Sequence, residues 1–340
     1  EKNTRVKARV KAHALKEFMN TKEKVVVMGH RLPDADSFGA AIGIYRAAKT
    51  LNKKAYIVID NPTSSIIPLM NTFRDNQDYE ADMFVNNHEA KEIMDDNTLL
   101  VVVDTNKPSI TQCEDLLYMA KMIVVLDHHR QGSDTIRNSV LSYIEPYASS
   151  ASEMVAEILQ YFTEGIRIRN VEADSIYAGI MIDTDNFMQK TGVRTFEAAA
   201  FLRRCGADVT RVRKLFREDM NDYKARGETI RNAELFRGQF AISECPSDYV
   251  DSPTVVGAQA ANELLNIVGV KASFVLTEYK GVIYISARAI DEVNVQIIME
   301  RMGGGGHLNM AGCQLETVNM EGARNLLKST LTEMQDGGEI

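Results

Sequence analysis

Asp127, His128, His129 and Arg130 stand directly behind the apolar run Met122 to Leu126. A carboxylate and two adjacent imidazoles are costly in a buried place without a charged partner. Three more acids or histidines follow apolar runs in the same manner. His30 follows Val25 to Gly29, Asp104 follows Leu99 to Val103, and Asp183 follows Ala178 to Ile182. Four hydrophobic segments thus end in metal-type ligands. Open α/β sheets place their active sites at such C-terminal ends.

Three of the clusters have an ordinary explanation when taken alone, whereas Asp127-His128-His129 is harder to explain away, although one histidine could be core. His30-Arg31-Leu32-Pro33-Asp34-Ala35-Asp36 reads as an Asp-rich strand-to-helix turn, with Ser37 capping a helix that begins at Phe38. Alternation would let Asp34 and Asp36 face different sides. Asp104-Thr105 and Asp183-Thr184-Asp185 each resemble helix-cap sequences. Together, His30, Asp34, Asp36, Asp104, Asp127, His128 and Asp183 would crowd five carboxylates and two imidazoles into one crevice. That density destabilises a fold unless cations are present. Oxygen-rich ligation without thiolate favours Mn²⁺ or Mg²⁺ over structural zinc. Seven positions exceed the needs of one ion. Two ions about 3.5–4 Å apart suit a phosphoester hydrolase that activates a bridging water. His13 reads as a helix-surface residue and His88 as a loop residue, neither with a role.

A second chemical motif is Gly303-Gly304-Gly305-Gly306-His307, followed by Leu308-Asn309-Met310-Ala311-Gly312. Consecutive glycines expose backbone N–H groups, so the run can wrap an anion or admit a flat base. The plain alternative is a flexible linker. Arg288, at the end of Tyr284-Ile285-Ser286-Ala287, reads as a phosphate clamp or as a solvated strand-end charge.

The elements that must position these groups follow from periodicity. Strands are predicted over 24–28, 54–59, 98–103, 122–127 and 139–144, with helices over 37–50, 112–120, 149–163 and 171–182. This alternation implies an α/β domain built on a mostly parallel, doubly wound sheet. Helical patterns continue from 195 to about 236. After the Pro246–Pro253 loop comes a smaller α+β domain. It has a helix over 254–266, a hairpin of 272–279 and 281–288 turning at Lys280-Gly281, a helix over 293–302, a short strand after the glycines and a C-terminal helix from about 320. The expected organisation is a connector helix over 1–20, a catalytic domain over 21–236 and a substrate-binding domain over 237–340, with the active site in the cleft between the last two. The Lys- and Arg-rich helix 4–19 reads as a linker or dimer contact more than a core element.

At 340 residues, 45% hydrophobic and 25% charged, the chain has the length and composition of a two-domain globular protein. No apolar run approaches the roughly 20 residues needed to span a bilayer, and no signal peptide is visible. Cys113, Cys205, Cys245 and Cys313 form no C-x-x-C pair and read as reduced cytoplasmic thiols. A net charge of −8 argues against a long nucleic-acid surface. The start at Glu1, inside a helix-forming segment, reads as a fragment of a longer protein.

With five motifs in this order, the chain from residue 24 onward resembles the DHH phosphoesterase superfamily with its DHH-associated C-terminal domain. The phrases Val103-Asp104-Thr105-Asn106-Lys107-Pro108-Ser109, Glu145-Pro146-Tyr147-Ala148-Ser149-Ser150 and Thr191-Gly192-Val193-Arg194-Thr195-Phe196 look most similar to membrane-anchored cyclic-di-AMP phosphodiesterases of the GdpP/YybT type. The resemblance implies one ion on His30, Asp34 and Asp104. It implies a second on Asp36, Asp104, His128 and Asp183, with Asp104 bridging. Asp127 would orient a histidine, His129 would face the scissile phosphate or assist proton traffic, and Arg130 would help hold phosphate. The glycine run, His307 and Arg288 would hold the distal nucleotide. Leu32 and Ala40 depart from the superfamily's usual Asn and Ser, though neither is a ligand.

The resemblance therefore implies an enzyme, a phosphoric diester hydrolase with two divalent ions, Mn²⁺ before Mg²⁺ or Co²⁺. A hydroxide bridging the ions would open cyclic-di-AMP to the linear 5′-phosphorylated dinucleotide. The expected fragment is cytoplasmic, pairs as a homodimer, makes no membrane contact itself and derives from a parent anchored in the bacterial cell membrane. Two alternatives stand beside it. One is an oligoribonuclease or 3′-phosphoadenosine 5′-phosphate phosphatase of the same superfamily. The other is a metal-dependent nucleotide sensor without turnover. Adenine versus guanine preference is open, because no base-reading residue is identifiable.

Overall fold

The computed structural model describes residues 2–290 and 293–340. The chain divides into two compact units, residues 1–217 and 218–340.

The first unit runs α1 (Lys2–Asn20), β1 (Lys24–Met28), α2 (Ala35–Thr50), β2 (Lys54–Val58), α3 (Ile67–Arg74), β3 (Phe84–Val85), α4 (Asn87–Ile93), β4 (Thr98–Val103), α5 (Asp115–Met119), β5 (Met122–Asp127), β6 (Leu141–Ile144), α6 (Ala151–Phe162), α7 (Asn170–Asp183), α8 (Val193–Arg204) and α9 (Val209–Leu215). Six parallel strands line up in the order β3-β2-β1-β4-β5-β6. Both faces are covered, which is why the strands are near-continuous apolar runs. Val25 and Val27 enter the core beneath α2, α6 and α7, while Val26 and Met28 enter the core beneath α4 and α5. Chain order reverses between β1 and β4, so the segments after these neighbouring strands flank a crevice at the switch point.

Three differences from the sequence reading concern this unit. Helix α1 has an inner face: Ala8, Ala12, Leu15 and Met19 are fully buried, and the helix packs on α6. The stripe recurs at helical spacing and is masked in the sequence by intervening Lys and Arg. His13 is exposed on α1 as expected, but His88 lies in the first turn of α4 instead of a loop. The short elements α3, β3 and α4 fall in a stretch whose periodicity is too brief to read.

The second unit runs α10 (Met220–Arg231), β7 (Glu234–Phe236), β8 (Phe240–Cys245), α11 (Pro253–Leu264), β9 (Ala272–Tyr279), β10 (Val282–Ala289), α12 (Val295–Arg301), β11 (Gly305–His307), β12 (Met310–Leu315) and α13 (Met320–Asp336). Its mixed sheet has the order β11-β12-β10-β9-β8-β7. The β9–β10 hairpin turns at Lys280 and Gly281, both at positive φ. The boundary falls before residue 236 because α10 packs on α11 and β8. Residues 234–236, read as the end of a helical stretch, pair with β8 as a strand. Among the described residues, no helix is long and apolar enough to cross a membrane.

Candidate metal centre

Side chains converge on the switch-point crevice for local reasons. Asp34, and not Ser37, caps α2: its carboxylate accepts the Ser37 N–H at 2.9 Å, and the helix begins at Ala35. Asp36 therefore sits in the first turn, buried. Its two oxygens accept the N–H groups of Ala151 and Ser152, each at 2.7 Å, at the N-terminus of α6. Close packing sets this meeting of helices. A Cβ on Gly39 would lie 2.5 Å from the Ser175 carbonyl, and one on Gly179 would lie 2.1 Å from Ser152 Oγ.

Asp104 ends β4 with φ +58°, in the left-handed region. Such a backbone is uncommon outside glycine and persists where surrounding structure holds it. Here the Asp104 N–H donates to the Leu126 carbonyl at 2.9 Å. The turn aims the carboxylate between two histidines. Asp104 Oδ2 is 3.2 Å from His30 Nε2, and Oδ1 is 3.3 Å from His128 Nε2. Asp34 Oδ2 lies 3.5 Å from His30 Nε2. Asp36 Oδ2 and Asp183 Oδ2 lie 3.7 and 3.8 Å from His128 Nε2. Asp183 is the last residue of α7, where the helix dipole already disfavours an anion.

Three ligand groups result: His30, Asp34 and Asp104; Asp36, His128 and Asp183; and Asp104, His128 and His129. Asp104 and His128 each belong to two of them. Two buried carboxylate oxygens, Asp104 Oδ1 and Asp183 Oδ2, have no hydrogen-bond partner. Buried acceptors are rarely left so, and a cation among these groups would satisfy both. The donor set fits a pair of hard divalent ions.

The electrostatics agree. Burial opposes protonation of His30, but hydrogen bonds and charge from Asp104 and Asp34 push its imidazole up to about 10. Likewise burial works against His128, yet Asp104, Asp36 and Asp183 push it up to about 9. Burial raises Asp36, helped by the charges of Asp104 and Asp183, and burial also raises Asp183. Burial would raise Asp104 too, but the two histidines outweigh it and bring the carboxyl down to about 2. Protons here fill a role that cations fill better.

Asp127 is fully buried and stands behind the ligands. Its Oδ1 is 2.8 Å from His129 Nδ1, and its Oδ2 accepts from Asn106 Nδ2. Asn106, buried, also donates to the His129 carbonyl at 3.3 Å. The sequence reading gave no role to Asn106 or to the α6 amides. A polar residue two places after Asp104, at the end of an all-apolar strand, was the available signal for the first. His129 is largely exposed and its Nε2 makes no hydrogen bond or ion pair among the described residues, while Arg130 is exposed.

In the second unit, Arg288 is mostly buried and desolvation lowers its pKa. Its NH1 donates to the Ala287 carbonyl at 2.9 Å, its Nε has no partner, and no carboxylate pairs with it among the described residues. The glycine run is partly a strand. The N–H groups of Gly303 and Gly304 donate to Glu300 and Met299, closing α12, and Gly305, Gly306 and His307 pair with β12. A Cβ on Gly304 would lie 2.1 Å from the Gly312 carbonyl. Gly304 is therefore required by the close approach of β12, and the N–H groups of Gly303 and Gly304 are already used. Gly303, Gly304, Gly312, Ser286 and Tyr284 line an open groove of about 440 Å³.

Comparison with known proteins matches this geometry to a family. The model of the DHH family N-terminal domain matches residues 24–180, and that of the DHHA1 domain matches residues 240–333. The cyclic-di-AMP phosphodiesterase GdpP of Bacillus subtilis (strain 168) is 43% identical over 344 residues, covering 99% of this chain and 52% of its own length. The cyclic-di-AMP phosphodiesterase PdeA of Listeria monocytogenes serotype 1/2a (strain 10403S) is 40% identical, covering 97% and 50%. The chain thus spans about half the length of these curated relatives. An exopolyphosphatase-related protein from Bacteroides fragilis shares the fold, with a TM-score of 0.80 at 20% identity over 96% of this chain and 97% of that one. With both matches and this identity along nearly its whole length, the chain carries a DHH family N-terminal domain followed by a DHHA1 domain.

Proposed function

We propose that the chain is a divalent-metal-dependent phosphodiesterase that opens cyclic-di-AMP to the linear 5′-phosphorylated dinucleotide. The observation that carries this reading is the pair of buried oxygens that face His128 without a well-formed hydrogen bond, Asp104 Oδ1 and Asp183 Oδ2, among groups of candidate ligands that share Asp104 and His128. His30, Asp34 and Asp104 would hold one ion, and Asp36, Asp104, His128 and Asp183 the other, with Mn²⁺ the first choice. Such ions supply an acidified water and neutralise charge at phosphorus.

The remaining work falls to protein groups. Asp127 accepts from His129 Nδ1, so that ring presents Nε2 outward, where in its imidazolium form, which carries a proton on each nitrogen, it can give one to the departing 3′-oxygen. Asn106 holds Asp127 for that task. Arg130 and Arg288 supply charge for phosphate. The unpartnered Nε of Arg288 supports its assignment, because a buried guanidinium without a carboxylate suits an anionic ligand. The glycine run with His307 offers a surface free of side chains for a nucleotide. The choice of cyclic-di-AMP is supported by its relatives from Bacillus subtilis and Listeria monocytogenes, both cyclic-di-AMP phosphodiesterases.

Product chromatography tests the reading. The protein is incubated with cyclic-di-AMP, cyclic-di-GMP or a linear dinucleotide in Mn²⁺, Mg²⁺ or Co²⁺. The expected outcome is metal-dependent formation of the linear 5′-phosphorylated dinucleotide from cyclic-di-AMP. Preferred cleavage of the linear substrate would move the chain to the oligoribonuclease class. Stoichiometric binding without product in any metal would make it a sensor.

A further inference from the structure

Two sequence phrases, Glu145 to Ser150 and Thr191 to Phe196, hold none of the candidate ligands. The structure joins them through Glu153, in the first turn of α6. Glu153 is only 2% exposed. Its Oε2 accepts the Ser149 N–H at 3.1 Å, the Ser149 hydroxyl, and the Thr195 hydroxyl at 2.6 Å. Its own N–H donates to the Ser150 hydroxyl oxygen at 3.0 Å, which caps the helix. No Lys, Arg or His pairs with this carboxylate among the described residues. Its buried charge is therefore met by neutral donors and by the N-terminal end of the helix dipole.

The turn that Glu153 fastens is the one that holds Asp36. Ala151 and Ser152 give their N–H groups to the two Asp36 oxygens at 2.7 Å each, and the Ser152 hydroxyl donates to the Asp36 carbonyl at 3.0 Å. The placement of Asp36 Oδ2, 3.7 Å from His128 Nε2, thus follows the placement of this turn. On its other side Glu153 grips the start of α8. Thr195 Oγ1, while donating to Glu153, accepts the Gly192 N–H at 3.0 Å and closes the first turn of α8. Arg194 adds a second tie, to Glu157 one turn further along α6 and to the Tyr143 hydroxyl at 3.4 Å. Residues 184–192 lead to this start of α8 directly from Asp183. Asp36, His128 and Asp183 form one candidate ligand group. Glu153 joins the turn that holds the first of them to the segment that follows the last.

We propose that Glu153 is a positioning residue of the metal centre: by binding Ser149 and Thr195 together, it fixes the α6 amides that aim Asp36 and so sets the affinity of the Asp36, His128 and Asp183 group for its ion. The proposal rests on the metal-dependent reading of the site. Groups standing behind metal ligands typically change affinity by about 10–100-fold when removed.

The test measures Mn²⁺ binding to the full chain from the electron paramagnetic resonance of the free ion, with the rate of cyclic-di-AMP opening read beside it. Ser149→Ala and Thr195→Val each remove one hydroxyl donor from Glu153, on opposite sides. Thr195→Ser keeps the hydroxyl, and Ile158→Val thins the core further along α6 without touching a hydrogen bond. Ser149→Ala and Thr195→Val should each weaken one of two Mn²⁺ sites by about tenfold or more and leave the other within about twofold. Their kcat should return toward wild type as Mn²⁺ is raised, and Thr195→Ser and Ile158→Val should bind both ions as wild type does. Wild-type affinity at both sites in both variants would overturn the proposal, as would equal weakening of the two sites or the same loss in Ile158→Val. An effect of Thr195→Val alone would assign the role to the α8 cap and overturn it too. If wild type binds Mn²⁺ but does not open cyclic-di-AMP, the phosphodiesterase reading fails while these affinities still decide Glu153. A wild type that binds no Mn²⁺ would overturn both.

Discussion

Asn106 is the clearest residue whose importance comes from what it holds. It donates to Asp127, which in turn orients His129, and both Asn106 and Asp127 are buried. Asn106→Ala should therefore lower phosphodiesterase kcat by about 10–100-fold while Mn²⁺ still binds, as measured by steady-state rates beside equilibrium dialysis. The histidines carry a pH signature. In metal-free protein His30 and His128 have folded pKa values near 10 and 9, above the ordinary 6.5. A raised pKa contributes stability that is complete below 6.5 and is lost as pH climbs through the folded value. Thermal melts in EDTA should accordingly show Tm falling between about pH 6.5 and 10. Melts in Mn²⁺ should show the metal's stabilising increment growing over the same range, because ions and protons compete for these rings. A metal increment independent of pH would remove both histidines from the ligand set.

Among the elements, the crossing of α2, α6 and α7 governs the centre. Gly179 lets α7 approach Ser152, whose N–H holds Asp36, and Asp183 ends the same helix. Gly179→Ala would force a Cβ to within 2.1 Å of Ser152 Oγ and 3.0 Å of the Ala35 carbonyl. Overpacking of this kind costs about 1–3 kcal/mol. The variant should lose that stability in chemical denaturation and also bind Mn²⁺ more weakly, because the Asp36, His128 and Asp183 group is displaced. Gly304→Ala makes the opposite comparison. Its clash is with Gly312 in the second unit, so denaturation should register it while Mn²⁺ affinity stays at the wild-type value. The strands were legible because burial on both faces makes β1, β4 and β5 continuous apolar runs. The elements α3, β3 and α4 were not, since each has few residues and a mixed surface.

For the molecule as a whole, two compact units predict calorimetry in which ligand separates the transitions. Every proposed metal ligand belongs to residues 1–217. Mn²⁺ at about 100 times its Kd should stabilise that unit by about 2.7 kcal/mol for each ion bound. The other unit should be unmoved. A uniform shift of a single transition would instead show that the units unfold together.

The sequence by itself determined the ligand types, their order behind apolar runs and the parallel architecture, since hydrophobic periodicity and residue chemistry are local properties. His30, Asp34, Asp36, Asp104, His128 and Asp183 stood out as candidates for that reason, and the structure brings them together. The tertiary structure alone decided that α6 amides clamp Asp36. It also decided that Asn106 supports Asp127 and that the N–H groups of Gly303 and Gly304 are consumed by a helix end. Each of these depends on which backbone groups from distant parts of the chain meet. Spacing along a sequence does not encode that; the packing of helices across the sheet does.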